Sequence, residues 1–201
     1  MEIFCVDFHV TFGPICSIIR FACIYAGTFK KKLKRVIIQM FVFNFENWTA
    51  FQDCVSDIIH TETVQSMREF RHHVNVSCYE HSVFVAYISF RIARKMGLDS
   101  RACARAGLLH DLYLYDSKEI RENHYTTHAR IALENASRLC ELTKKEKNII
   151  ESHMWPLGDV TPASREAYIV NFADKYCATL EALHIWHRMS VRDHLPVPDA
   201  A

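Results

Sequence analysis

The chain has 201 residues, half of them apolar or aromatic, with 24 basic and 23 acidic side chains and a formal net charge of +1. That length supports one domain with a sizeable core, and the near-zero charge excludes a global attraction to nucleic acid or an anionic membrane. Eight cysteines would permit disulfides, but they stand singly, with no Cys-x-x-Cys pair, in a chain too large to need covalent staples, so a reducing cytoplasm is the simpler reading.

Residues 1–45 read as a leader set apart from the rest. Pro14 to Phe29 is mostly apolar but holds Arg20, and it falls short of the roughly 20 residues a membrane span needs. The basic run Lys30-Lys31-Lys32-Leu33-Lys34-Arg35 follows this stretch, whereas a secretory signal places its charges first. The leader is therefore expected to lie outside the functional domain, with membrane contact as the lesser alternative.

From about Asn47 onward the pattern is helical. His81, Val85, Ile88, Ile92 and Met96 recur at helical spacing, so one stripe carries His81 and four apolar side chains inward, and Gly97 supplies a stop. Ser100 is expected to cap a second helix through Ala102, Ala106 and Leu109 to His110, with Gly107 admitting a close neighbour. A third helix covers His128 to about Leu139, leaving His124 in the preceding loop. A fourth opens on the capping box Thr143-Lys-Lys-Glu146, carries Ile149, Ile150 and His153 on one face, and breaks at Met154-Trp155-Pro156. The fifth is expected to start at Thr161-Pro162 and run to about Trp186. No alternating Val/Ile/Thr-rich strands follow residue 50, so the fold class is all-α, about five to seven helices in one domain over residues 46–190, with a tail at 191–201. Cys103 and Cys177 fall on apolar faces, where a thiol acts as a small hydrophobe.

On the last helix Val170, Asp174, Cys177 and Ala178 share a face, and a carboxylate on so apolar a stripe calls for a cation, an Arg or another helix terminus as partner. A single inward histidine such as His81 is ordinarily a hydrogen-bonded core residue. Five helices, however, each end or centre on such groups: His81, His110 with Asp111, His128, His153 and Asp174. Helical bundles build metal sites in this way, from side chains on facing helices that project toward one interior point.

The order His81 in Glu80-His81-Ser82, then Gly107-Leu-Leu-His-Asp111, then Asp174 in Asn171-Phe-Ala-Asp-Lys175 resembles the HD superfamily of metal-dependent phosphohydrolases, over roughly Met67 to Leu183. The resemblance implies that His81, His110, Asp111 and Asp174 bind one divalent metal. With His128 and His153 the chain resembles the subgroup with two adjacent metals, the HD-GYP phosphodiesterases among them, where the matching positions help hold the second. It departs from HD-GYP proteins at Tyr113 and Leu114, where a Gly-Lys pair usually stands, and no Gly-Tyr-Pro follows His153.

Imidazole and carboxylate donors without thiolate suit manganese, iron, cobalt, nickel or zinc, one or two ions, with magnesium also compatible. If two bind, Asp111 is the natural bridge and the catalytic residue, and metal-activated water would hydrolyse a phosphate ester. Lys175 is a substrate-phosphate contact in this reading and a solvated lysine in the simpler one. His72 and His73 precede the first site helix and are expected in a solvated turn, with a place at the mouth of the site as the lesser alternative, and His184 and His187 are expected as surface or packing residues. Tyr113, Tyr115, Trp155 and Tyr176 either stack on a base or pack between helices. The expected partner is a small phosphorylated metabolite or nucleotide, since no nucleic-acid-binding pattern stands out. A metal-bearing sensor that binds a nucleotide without turnover is the alternative.

Overall fold

The computed structural model describes residues 45–73, 76–115 and 124–183, all within the unit of the chain that spans 43–201. The leader, His184, His187 and the tail lie outside the described residues, as do the side chains of His73 and His124. The described helices are α1 Phe45–Val55, α2 Glu62–Gln65, α3 Cys78–Lys95, α4 Ser100–Leu109, α5 His124–Leu139, α6 Lys144–Ser152 and α7 Arg165–Ala182. The fold is all-α, as expected. One departure is a small antiparallel hairpin, β1 Arg71–His73 with β2 Val76–Ser77, too short to leave an alternating signal in the sequence.

Helix α3 is the centre of the domain. Ser77 and Glu80 form a full capping box at its start, which satisfies two of the amide groups orphaned there. From Cys78 to Phe90 every residue except Glu80 is buried. A helix covered on all sides must lie inside its domain, and α3 packs against both α4 and α7. Phe51 of α1 is fully buried and sits in an aromatic cluster with Trp48, Tyr87 and Phe90, at centroid distances of 5.2, 5.5 and 5.9 Å. Burying one such ring contributes roughly 1.5–3 kcal/mol. The stripe proposed from His81 ends early: Ile88 is buried, but Ile92 is half-buried and Met96 is 51% exposed. Gly97, at φ +67°, ends the helix with Leu98 N–H bonded to Ala93 O and Gly97 N–H to Arg94 O, a pairing that needs left-handed backbone.

Asp99, and not Ser100, caps α4, accepting from Ala102 N at 3.0 Å. Gly107 presses on α3 as expected: a Cβ there would lie 2.8 Å from Ala86 Cα. That approach places His110 and Asp111, just past the end of α4, against the His81 face of α3. Helix α5 begins at His124, one turn earlier than expected, so His128 lies within the helix and does not open it. Helix α6 opens on Thr143 and Glu146 as predicted. Helix α7 begins at Arg165 under a Ser164 cap, later than the expected Thr161-Pro162. The cause is Asn148, whose amide donates to Thr161 O at 3.3 Å and accepts from Ala163 N at 2.8 Å, holding that segment out of helix. Cys103 and Cys177 are fully buried, and burial raises both thiols, Cys103 to about 12. No helix among the described residues is long and apolar enough to cross a membrane.

Candidate metal centre

The six predicted donors meet in one place. His81 comes from the first turn of α3, His110 and Asp111 from the end of α4, His128 from α5, His153 from the end of α6, and Asp174 from the middle of α7. All six are buried, none more than 8% exposed. Asp111 divides them. Its Oδ2 lies 3.4 Å from His110 Nε2 and 3.9 Å from His81 Nε2, and Asp174 Oδ1 stands 3.2 and 3.8 Å from His81 and His110. Its Oδ1 faces the other way, 3.6 Å from His128 Nε2 and 3.5 Å from His153 Nε2.

The ring orientations are fixed from behind. His81 Nδ1 lies 2.9 and 3.0 Å from the two oxygens of Glu181, His110 Nδ1 is 2.7 Å from Gly107 O, and His153 Nδ1 is 2.7 Å from Ile150 O. Each of these acceptors takes the Nδ1 hydrogen, so each neutral ring turns a bare Nε2 toward the centre. Asn171 donates to the carbonyls of His153 and Trp155, both at 2.6 Å, and Lys175 Nζ to His153 O at 2.9 Å, which steadies the end of α6. Asn135 of α5 holds the Leu112 carbonyl at 2.8 Å, tying down the turn after His110 and Asp111.

Two donor atoms of the centre are left without a hydrogen-bond partner. His110 Nε2 and Asp111 Oδ1 are buried and make no hydrogen bond, and the Nε2 atoms of His128 and His153 face each other at 2.9 Å. Buried polar atoms normally have partners, because an unmet one costs about 1–3 kcal/mol. Imidazole and carboxylate donors at 2.0–2.2 Å from one divalent ion stand roughly 3 Å or slightly more apart, so the residues present fit such ions. His81, His110 and Asp111 form one group able to hold a metal, and Asp111, His128 and His153 a second. Among the described residues a third group, His72, Cys78 and Asp111, includes a thiol. Cys78 already donates to Asp111 O at 3.2 Å, and burial raises its pKa well above the ordinary thiol value.

The electrostatics follow from that crowding. Burial opposes ionisation of Asp111 and Asp174, yet the surrounding imidazoles hold both carboxyls well below the usual range. Burial pulls His81 down, but Glu181 and Asp174 outweigh it and raise it well above its ordinary value; His110 is raised by Asp111 and Asp174 against the same burial. His153, facing His110 and removed from water, is pushed down to about 3.

Of two further participants, His72 answers to the lesser of its two expected places and Glu181 was not expected. His72 does not sit in a solvated turn: its Nε2 lies 3.4 Å from Asp111 Oδ2 and its ring stacks on His81 at a centroid distance of 4.2 Å. Glu181 carried a usable signal, since it stands seven residues after Asp174 and shares its helix face. Lys175 is not simply solvated but bound at the rim, its Nζ 3.7 Å from Asp174 Oδ2. Of the aromatic residues, Tyr113 packs on His72 and His128 at the centre, with Tyr115 against it, whereas Tyr176 stacks on Phe172 and Trp155 meets Tyr168.

The family model for the HD domain matches residues 78–179, a span that includes all six donors and leaves out His72 and Glu181. Ribonuclease Y of Opitutus terrae is 27% identical over 177 residues, covering 85% of this chain and 32% of that protein. Ribonuclease Y of Lachnoclostridium phytofermentans is 34% identical over 125 residues, 60% of this chain and 22% of the relative, and that of Clostridium novyi is 30% identical over 122 residues, 60% and 23%. The chain thus spans a third or less of the length of these curated relatives. No solved structure matches it. With six donors gathered about Asp111 and a family match over half its length, the chain belongs to the HD domain family.

Proposed function

We propose that the chain hydrolyses a phosphate ester of a small metabolite or nucleotide with two divalent cations held around Asp111. Membership of the HD domain family supports the reading as a metal-dependent phosphohydrolase. The observation that carries the two-ion reading is the division of Asp111, whose two oxygens face two separate sets of imidazoles. His81, His110, Asp111 and Asp174 would hold one ion, and Asp111, His128 and His153 the other. When bound, such ions supply Lewis acidity, acidifying water and offsetting charge on a phosphoryl group.

The chain's own residues prepare for this. Glu181, Gly107 O and Ile150 O keep three Nε2 lone pairs aimed inward, so no ring must reorient when a cation arrives. Lys175, held at the rim by His153 O, brings a positive side chain to within reach of an entering phosphate. The donor types admit manganese, iron, cobalt, nickel or zinc, with magnesium also compatible. The five described cysteines are all free thiols, which supports a reducing cytoplasm as the working compartment.

A second reading, cleavage of RNA phosphodiesters, is favoured by the name shared by the three relatives, ribonuclease Y. Metal-loaded protein assayed on nucleotide phosphomonoesters, cyclic and linear dinucleotides and a short single-stranded RNA separates the two. Product from the small esters alone supports the first reading, and product from RNA alone the second. Ligand-induced stabilisation with no product from any of them identifies a sensor and overturns both.

A further inference from the structure

Helix α7 sorts its charges by face. Its three acids, Glu166, Asp174 and Glu181, are at most 8% exposed, and each meets a lysine or an imidazole inside the domain. Its two cations stand further out, Arg165 exposed and Lys175 half-buried. The surface that α7 turns to solvent therefore carries positive charge alone, in a chain whose net charge is only +1.

Aromatic rings share that surface. Tyr168, Phe172 and Tyr176 recur every four residues and so form one stripe. Tyr168 is 48% and Phe172 55% exposed. With Leu183 at the cap of α7 they make up half of the six large apolar side chains exposed among the described residues, so this exposure is concentrated and not scattered. Each ring is braced on one side: Phe172 lies within 15° of parallel to Tyr176 at a centroid distance of 5.9 Å, and Tyr168 meets Trp155 edge-on at 5.8 Å. The stripe borders the metal centre through Lys175. That residue is three positions from Phe172, hence its neighbour on the helix surface, and its Nζ lies 3.7 Å from Asp174 Oδ2 and 2.9 Å from His153 O.

Exposed rings beside cations, with every acid of the helix withdrawn, are complementary to a strand that offers flat bases and anionic phosphates. The core of a protein–protein interface is instead depleted of charge, lysine above all. Successive rings stand four residues, about 6 Å, apart along the helix axis. That exceeds the roughly 3.4 Å step of a strand within a duplex, so the spacing suits a single strand with its bases spread.

Resting on the reading of the centre as one that cleaves RNA phosphodiesters, we propose that the outward stripe of α7 is a binding surface for single-stranded RNA. Bases stack on Phe172 and Tyr168, and Lys175 holds a phosphate between that surface and the metal centre. The test follows binding of a short dye-labelled oligouridylate by anisotropy, on the full chain without added metal so that turnover does not intrude. Cleavage of the same strand is then measured after manganese loading. Phe172→Ala and Tyr168→Ala should each weaken binding roughly 5- to 100-fold, the effect of losing one stacked base. Phe172→Trp should bind as wild type, whereas Phe172→Leu, apolar but without a π-face, should lose nearly as much as Phe172→Ala. Polyphosphate, which has the charge and no bases, should bind Phe172→Ala and wild type alike. Both side chains are exposed, so the variants should keep the wild-type melting temperature and metal content.

Oligouridylate binding unchanged in Phe172→Ala and Tyr168→Ala would overturn the assignment. So would full binding by Phe172→Leu, which would make the stripe a general apolar contact. Wild-type protein that binds no oligouridylate but self-associates, with Phe172→Ala abolishing the association, would make it an interface between copies of this chain and overturn it too. A strand bound through Phe172 yet left intact after manganese loading supports the surface and counts against the cleavage reading. A strand cut by wild type and Phe172→Ala with equal KM supports cleavage and sinks the surface.

Discussion

Arg105 and Asp111 are both buried charges within one helical domain, and their surroundings are built in opposite ways. Arg105 Nη1 meets both oxygens of Asp57 at 2.6 and 2.5 Å, and its Nε meets Glu146 Oε1 at 3.0 Å. The other oxygen of Glu146 accepts from Thr143 N and Oγ1, both at 2.8 Å. Each charge there has a partner of opposite sign or a capped amide, as a purely structural cluster requires. Around Asp111 one carboxylate oxygen and one imidazole nitrogen lack any hydrogen bond, and two imidazole nitrogens face each other. The shortfall around Asp111 falls on imidazole and carboxylate atoms, the groups that a divalent cation would satisfy.

Substitution at the two sites should separate stability from metal binding. The largest effect is expected for Asp111→Ala: both ions should be lost from a protein whose helical circular dichroism is unchanged. The loss of affinity should exceed the roughly 10- to 100-fold that removal of an outer partner costs. An Asp111→Ala variant that still binds two ions would erase the distinction between the clusters. Arg105→Ala should do the reverse, lowering stability to denaturant by about 3–5 kcal/mol because Glu146 is left buried without its cation. The folded fraction should keep its metal, and parallel loss of metal and stability would mean that the two clusters are coupled.

Glu181→Ala should weaken metal binding roughly 10- to 100-fold through His81, and Glu181→Gln, which keeps an acceptor for Nδ1, by less. Equal metal affinity in all three proteins would reduce Glu181 to a packing residue. The smallest effect is one of pH. In the metal-free protein His81 and His110 are raised above their unfolded value of about 6.5, so their contribution is complete below about pH 6.5 and is lost as pH rises through their folded values. His153, lowered to about 3, acts oppositely: its contribution is present above about pH 6.5 and is lost as pH falls toward its folded value. Melting of the metal-free protein should therefore soften on both sides of about pH 6.5. Asp57, held low by Arg105 against its own burial, gives way only in acid, below about pH 4. Metal should remove the alkaline decline, since binding needs the neutral rings that rising pH supplies. A metal-free protein that stabilises steadily from pH 6.5 to 9 would contradict these shifts.

The six donors were legible because each lies on or at the end of a helix, where spacing of three and four fixes the face, and because their order and local context resemble the HD superfamily. The same spacing would have reached Glu181 from Asp174. It could not reach His72, whose place depends on a hairpin of three and two residues and on a hydroxyl 41 positions away. The start of α7 was misplaced because Thr161-Pro162 is a sound local signal that Asn148, an element away, overrides. Met96 was placed inside by periodicity alone, but it is the cap residue just past the end of α3, and its side chain is exposed. Helix-local chemistry was thus readable, and contacts made by side chains between distant segments were not.

The central claim is that Asp111 joins two metal sites, and counting ions on the wild-type protein tests it most directly. Protein loaded with manganese, freed of excess and analysed for metal against protein concentration should hold two ions per chain. One ion per chain, or none, in correctly folded protein would contradict it.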